Sequence, residues 1–224
     1  MTRLSIAEAR ARLEEMKRVL GETHPDTLTA MNALAETIGA EGDSAKAREL
    51  LELVASRRAQ VLGEEHPDTL RTMGDLALAY SGLGDHAKAR RIGEQVLKGM
   101  AHVNGAMHPD TLRAMDNLAN TLGAQGNTGE ARTLAARVLE LRIRVLGEAH
   151  PDTLTSMRTL ATAIWQQGYP AEARKLYRRV LELMTRVNGR EHSETSIAAW
   201  DLAGTLMDSG DDRGAREVLR EHLM

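Results

Sequence analysis

The chain repeats itself every 42 residues, and this period limits its possible folds more than any other feature. The phrases GETHPDTL, GEEHPDTL, GAMHPDTL and GEAHPDTL place His24, His66, His108 and His150 at that step, and a decayed copy, REHSETS, extends the series to His192. Self-similarity at periods of about 20–50 residues marks an array of stacked units, in which a motif is a repeated structural part before it is a catalytic device. Two glycine columns keep the step: Gly42, Gly84, Gly126, Gly168 and Gly210, then Gly21, Gly63, Gly105, Gly147 and Gly189. Two glycines per period punctuate two elements.

Both elements read as helices. After HPDT, Leu28, Met31, Leu34, Ala35 and Ile38 fall at three- and four-residue steps, and after Gly42 the pattern returns in Ala47, Leu50, Leu51, Val54 and Leu62. Apolar residues at that spacing line one face of a helix. Each period is therefore a hairpin of helix A, near 24–40, and helix B, near 44–62, with the turn glycine in a left-handed C-cap. One hairpin cannot bury its own apolar faces, so neighbours must stack.

HPDT itself is a helix start. Proline suits the first helical position because its missing N–H would be unpaired there, and the following Asp sits where free N–H groups favour an anion. Pro25, Pro67, Pro109 and Pro151 occupy that place, while Pro170 opens the fourth helix B. The histidines then read as N-cap or turn-packing groups. A shared zinc would need each ring nitrogen at about 2.0–2.1 Å from the metal, whereas stacked helices keep successive copies about 8–10 Å apart. No metal site is expected.

The run LAETIGAEGDSAKAREL resembles the tetratricopeptide repeat: Leu34–Ala35 matches its Leu–small pair, Gly42 its turn glycine and Ala47 its helix B alanine. The pairs recur at Leu76–Ala77, Leu118–Ala119, Leu160–Ala161 and Leu202–Ala203, and the alanines at Ala89, Ala131, Ala173 and Ala215. A 42-residue period with LGEEHPDTL resembles the kinesin light chain class of these repeats. The resemblance implies an all-α, right-handed α-solenoid of about eleven helices. It covers one repeat domain over 1–224: an N-terminal helix at 4–21, repeats at 24–65, 66–107, 108–149 and 150–191, and a shortened, capping repeat at 192–224. Where the family often has tryptophan on helix A this chain has Met31, Met73, Met115 and Met157, a column read as core filler.

In such proteins partners bind the inner wall formed by helix A. The positions matching that wall change from copy to copy: Thr29, Asn32 and Glu36; Arg71 and Gly74; Arg113, Asp116 and Asn120; Thr155, Arg158, Thr162, Trp165 and Gln166; Trp200 and Met207. A guanidinium can hold a carboxylate through two hydrogen bonds, so Arg71, Arg113 and Arg158 point to a protein or peptide partner with acidic or C-terminal carboxylate groups. The Lys/Asn pattern of the family's carboxylate clamp is missing. Trp165 and Trp200 are residue types that anchor interfaces.

Composition excludes other classes. The chain has no cysteine and a net charge of −3, which removes disulfides and thiolate sites and offers no electrostatic footprint for nucleic acid. Without a long apolar run, or a charged-then-apolar leader at MTRLSIAEARARLEEM, a cytoplasmic protein without membrane span is expected. The sequence shows no GxxxxGK[ST], HExxH or GxSxG, so neither enzyme activity nor a cofactor is expected. Two alternatives stand beside the binding scaffold: a structural, oligomerisation or sensor segment of a larger signalling protein, and an enzyme whose site assembles across repeats from acids such as Glu36, Asp116 and Asp201. Apolar residues near the ends, Leu13, Met16 and Leu20 together with Val218, Leu219, Leu223 and Met224, point to homo-oligomers through the array ends.

Overall fold

The computed structural model describes residues 5–223, which contain eleven helices and no strand. They are α1 (Ile6–Leu20), α2 (Pro25–Ala40), α3 (Ser44–Leu62), α4 (Pro67–Gly82), α5 (His86–Asn104), α6 (Pro109–Ala124), α7 (Thr128–Leu146), α8 (Pro151–Gln166), α9 (Pro170–Asn188), α10 (Ser193–Met207) and α11 (Asp212–Leu223). Even-numbered helices are the helix A of each repeat, and odd-numbered ones the helix B. The residues form two compact units, 1–121 and 122–224, with the boundary inside α6.

Local chemistry sets each boundary. His24, His66, His150 and His192 are N-caps whose Nδ1 accepts the N–H two residues on, at 3.1–3.2 Å, and His108 accepts from Asp110 in the same way. At the other end of α2, Asp43 N–H bonds the Ile38 carbonyl and Gly42 N–H the Gly39 carbonyl, a Schellman motif. Asp43 then caps α3 by accepting from Lys46 N–H at 3.1 Å. One residue thus closes helix A and opens helix B, which is why the hairpin turn is so short. The N-terminal helix runs from Ile6 to Leu20 rather than over 4–21, because Ser5 and Glu8 form a capping box that starts it and Gly21 is its C-cap. Leu4 lies outside the described residues.

The two glycine columns differ in backbone conformation. Gly84 has φ +82° in the hairpin turn, the left-handed conformation expected there. Gly63, at the end of α3, has φ 99° and ψ 158°, a region that is essentially glycine-only. Gly63→Ala should therefore cost about 1–3 kcal/mol, and Gly84→Ala about 1 kcal/mol. Denaturant titration of the two variants checks this order, and equal midpoints would refute it. The histidine caps are testable in the same way. His66→Ala should lose about 0.5–2 kcal/mol and His66→Asn, which keeps an acceptor, much less.

Burial follows the apolar stripes. In the first unit Leu28 and Val54 are fully buried, as are Val138 and Val180 in the second, each side chain contributing about 1.5–3 kcal/mol. Met31 and Met157 are core residues at 2% and 3% exposure, whereas Met73 and Met115 are half-buried. At the ends, Leu13 is buried, and Val218 and Leu219 pack against the core of the second unit. Those three are therefore not the exposed end patch expected of them, since Leu13 joins the core of the first unit and α11 turns its apolar face inward. Met16 is half-buried and Leu20 exposed. Another side of α11 carries the exposed Arg213, Arg216, Glu217 and Arg220. The Leu223 side chain and Met224 lie outside the described residues.

A pairing between successive repeats appears once the helices are placed. Arg58 of α3 is 4% exposed, and its Nη1 donates to the Asp68 carbonyl at 2.9 Å and to Thr72 Oγ1 at 2.8 Å. Arg142 of α7 does the same with the Asp152 carbonyl and Ser156 Oγ, at 2.6 and 2.8 Å. Where the arginine column has methionine, the hydroxyl column has alanine: Met16 with Ala30, Met100 with Ala114, Met184 with Ala198. Met100 and Ala114 share one core cluster, and Met184 and Ala198 another. Joints between repeats thus come in a polar and an apolar form.

Candidate functional site

The Pro–Asp start and the buried apolar stripe of each helix A turn its remaining face, at positions 29, 32–33, 36 and 39–40 and their 42-residue equivalents, away from the core. In the first unit that face is a ladder of charges. Asn32 Nδ2 donates to Glu36 Oε1 at 2.6 Å and, across to α4, to Asp75 Oδ2 at 2.9 Å. Arg113 of α6 lies 4.0 Å from Asp75 and 3.6 Å from Asp110. Asp110 also takes Arg71 at 3.2 Å, and Arg71 reaches Asp68 at 2.6 Å. Burial works against the Arg71 charge, but Asp110 and Asp68 together outweigh it and hold its pKa above the ordinary value. Asp116 is buried and Asn120 exposed.

Asp75 is the part of this ladder that sequence reasoning missed. Its carboxylate is only 12% exposed. Burial pushes its pKa up to about 6, with Glu36 adding to the rise and Asn32 and Arg113 opposing it. The available signal was its place one helical turn beyond Arg71, beside the stripe.

In the second unit the face adds an exposed apolar stripe, on α10, to its polar residues. Arg158 of α8 donates from Nε to Asp201 Oδ2 at 2.8 Å and stands 3.8 Å from Glu194, both on the α10 segment. Trp165 is half-buried, its Nε1 donates to Asp208 at 2.6 Å, and its ring lies over Gly204, where a Cβ would sit 3.8 Å away. Trp200 is 53% exposed, and Ile197 and Met207 beside it are 41% and 48% exposed. Gln166 is exposed and rests against Gly123, and the Thr162 hydroxyl meets Tyr177 Oη at 2.8 Å. The structure therefore links Asn32, Glu36, Arg113 and Arg71 through Asp75 and Asp110, and places Trp165 with Arg158 and Trp200 along α8 and α10. Every arginine named from the sequence stands beside a carboxylate of its own wall.

Away from these faces, a cavity of about 730 Å³ opens between α3 and α5, beside Leu70 and Met73. Its lining includes Ala55 and Gly99, at positions where other copies bury leucine, as at Leu139 and Leu141. Among the described residues no three His, Asp or Glu side chains converge to hold a metal. None of the described helices is long and apolar enough to cross a membrane.

No curated protein matches the chain. Solved structures do. A kinesin light chain-type protein of nearly identical TPR-like repeats from Podosopora anserina is 30% identical, with 88% of this chain and 94% of that one covered and a TM-score of 0.71. BtubC (BKLC) from P. vanneervenii is 22% identical, with 97% and 88% covered and a TM-score of 0.75. A Rap protein complexed with competence and sporulation factor shares the fold at 14% identity, with 95% and 61% covered and a TM-score of 0.72. The tetratricopeptide repeat model matches residues 32–102, 110–183 and 159–223. With its hairpins, its Leu–Ala pairs and its 42-residue step all in place, the chain belongs to the tetratricopeptide repeat family, in the kinesin light chain-like class.

Proposed function

We propose that the helix A faces bind a peptide or a segment of another protein, and that the chain is a cytoplasmic recognition scaffold rather than an enzyme. The observation that carries this reading is Trp200. A large aromatic stands half in solvent at a position where other copies have Asn32, Gly74, Asp116 and Arg158. Solvent-facing tryptophans of this kind are the residues most often found at binding hot spots. Structural relatives support it: besides the Rap complex, NprR in complex with its cognate peptide NprX shares the fold at 16% identity and a TM-score of 0.69.

The groove residues proposed are Asn32, Glu36, Arg71, Arg113, Asp116 and Asn120 in the first unit, and Arg158, Trp165, Gln166 and Trp200 in the second. A guest carboxylate at Arg71, Arg113 or Arg158 competes with Asp68, Asp110 or Asp201. Each such exchange is worth about 0–1 kcal/mol, so the tryptophans carry more of the affinity. After affinity capture of a partner from the source organism, calorimetry on variants tests this. Trp200→Ala should weaken binding by about 2 kcal/mol or more and Arg113→Ala by less, with helix B changes Arg91→Ala and Arg178→Ala neutral. Equal affinities across all four would move the binding surface off helix A and leave the array a spacer.

A further inference from the structure

We infer that the helix A face of the second unit docks a cationic amphipathic segment of a partner, one that brings large apolar side chains flanked by Lys or Arg. This rests on the binding reading above and narrows its guest. The stripe Ile197, Trp200 and Met207 advances by three and then seven residues, so all three lie on one side of α10. Each is more than two-fifths exposed. The columns they occupy hold short or polar residues in most copies: Thr29, Arg71, Arg113 and Thr155 at the first. Gly204, where other copies have Glu36, Leu78, Asn120 and Thr162, puts no polar side chain into the stripe and lies under the Trp165 ring. The apolar stripe is thus peculiar to this end of the array and is not a by-product of the repeat.

Charge selects the guest. The α10 segment has no basic residue, and Glu194, Asp201 and Asp208 follow one another at seven-residue steps, about two turns apart. They form a carboxylate row beside the apolar stripe. Arg158 is the cation bonded to that row, through Asp201 and Glu194. Arg174 of α9 reaches this neighbourhood but ends on the Thr205 carbonyl and Ser209, not on a carboxylate. Three carboxylates against the two guanidiniums of Arg158 and Arg174 leave the rim net negative. An exposed indole face also attracts Lys and Arg. An acidic guest would meet like charge on the same rim.

The chain's two tryptophans are both on this face, so intrinsic fluorescence reports its occupation. The probes are short synthetic peptides free of Trp and Tyr: leucines flanked by lysines, the same leucines flanked by glutamates, and serines in place of the leucines. The lysine–leucine peptide should shift the emission saturably and bind about tenfold or more tighter than the glutamate form at low salt, an advantage that shrinks as salt rises. Ile197→Ser and Met207→Ser should each weaken it about tenfold. Glu194→Gln and Asp208→Asn should weaken the lysine form selectively, with Asp208→Asn keeping the oxygen that receives the Trp165 N–H. If the glutamate peptide binds as well or better and loses affinity in Trp200→Ala, the cationic guest is wrong while helix A remains the binding face. If no peptide moves the fluorescence or depends on Ile197, Trp200 or Met207, both readings fall.

Discussion

Arg58→Ala should lower the unfolding free energy by about 2–4 kcal/mol, while Arg58→Met combined with Thr72→Ala should return most of that loss. The side chain is 4% exposed, its Nε has no hydrogen-bond partner, and its other nitrogens meet only neutral oxygens: the Asp68 carbonyl, Thr72 and, at 2.9 Å, Thr29. Burial accordingly pulls its pKa below the usual arginine value, with Asp68 acting against that. A buried charge held this way adds little net stability over an apolar residue of similar volume, but truncating it leaves a hole. Thr72 and Thr29 keep bonds to the Asp68 and Pro25 carbonyls when the guanidinium goes, so the loss is mainly packing. The chain already contains the apolar solution, with Met100 against Ala114 and Met184 against Ala198. Denaturant titration of the single and double variants decides it, reading the first transition because repeat arrays can unfold in parts. A double variant no more stable than Arg58→Ala would show that the two joints are not interchangeable.

Asp75→Asn should stabilise the protein at pH 7 by an amount of the order of 2 kcal/mol, with the gain fading below about pH 4. Because burial raises the Asp75 pKa to about 6, the folded state holds a proton that the unfolded chain releases near the ordinary carboxylate value. Between those values the native state binds more protons than the unfolded state, so this group's contribution falls as pH rises through the window. Above it the full penalty of a buried carboxylate remains, only partly offset by Asn32 and by Arg113 at 4.0 Å. An amide of the same shape removes the charge and keeps a polar group beside Asn32. Melting curves of both proteins from pH 4 to pH 8 measure the effect. A constant difference across that range would show that Asp75 titrates as an ordinary surface carboxylate.

Much of this was written in the sequence, and the reason is locality. Helix boundaries depend on residues a few positions apart, so HPDT, the Gly42 column and the apolar steps were enough to place α2 and α3 at Pro25–Ala40 and Ser44–Leu62. The histidine caps and the Gly84 turn were legible for the same reason: each is a bond or a dihedral inside one turn. The start of the N-terminal helix is local as well, set by the Ser5–Glu8 box. Stacking was also decided there, since a 42-residue step of amphipathic hairpins has no other way to bury its stripes.

What only the tertiary structure decided is everything that joins residues on different helices. The candidate face was named from variable positions, but periodicity assigns a residue to a side of a helix and says nothing of which neighbour reaches it. Arg71, Arg113 and Arg158 look like free charges in the sequence and in fact face Asp110, Asp75 and Asp201 of neighbouring helices A. Asn32, expected in the open groove, is buried under its bond to Asp75. Val218 and Leu219 could face out or in until α11 was packed, and they face in. The Arg58–Thr72 joint is a fourteen-residue separation with no local signature. Hydrogen bonds, ion pairs and burial between helices depend on distances across the stack, and no one-dimensional period contains them.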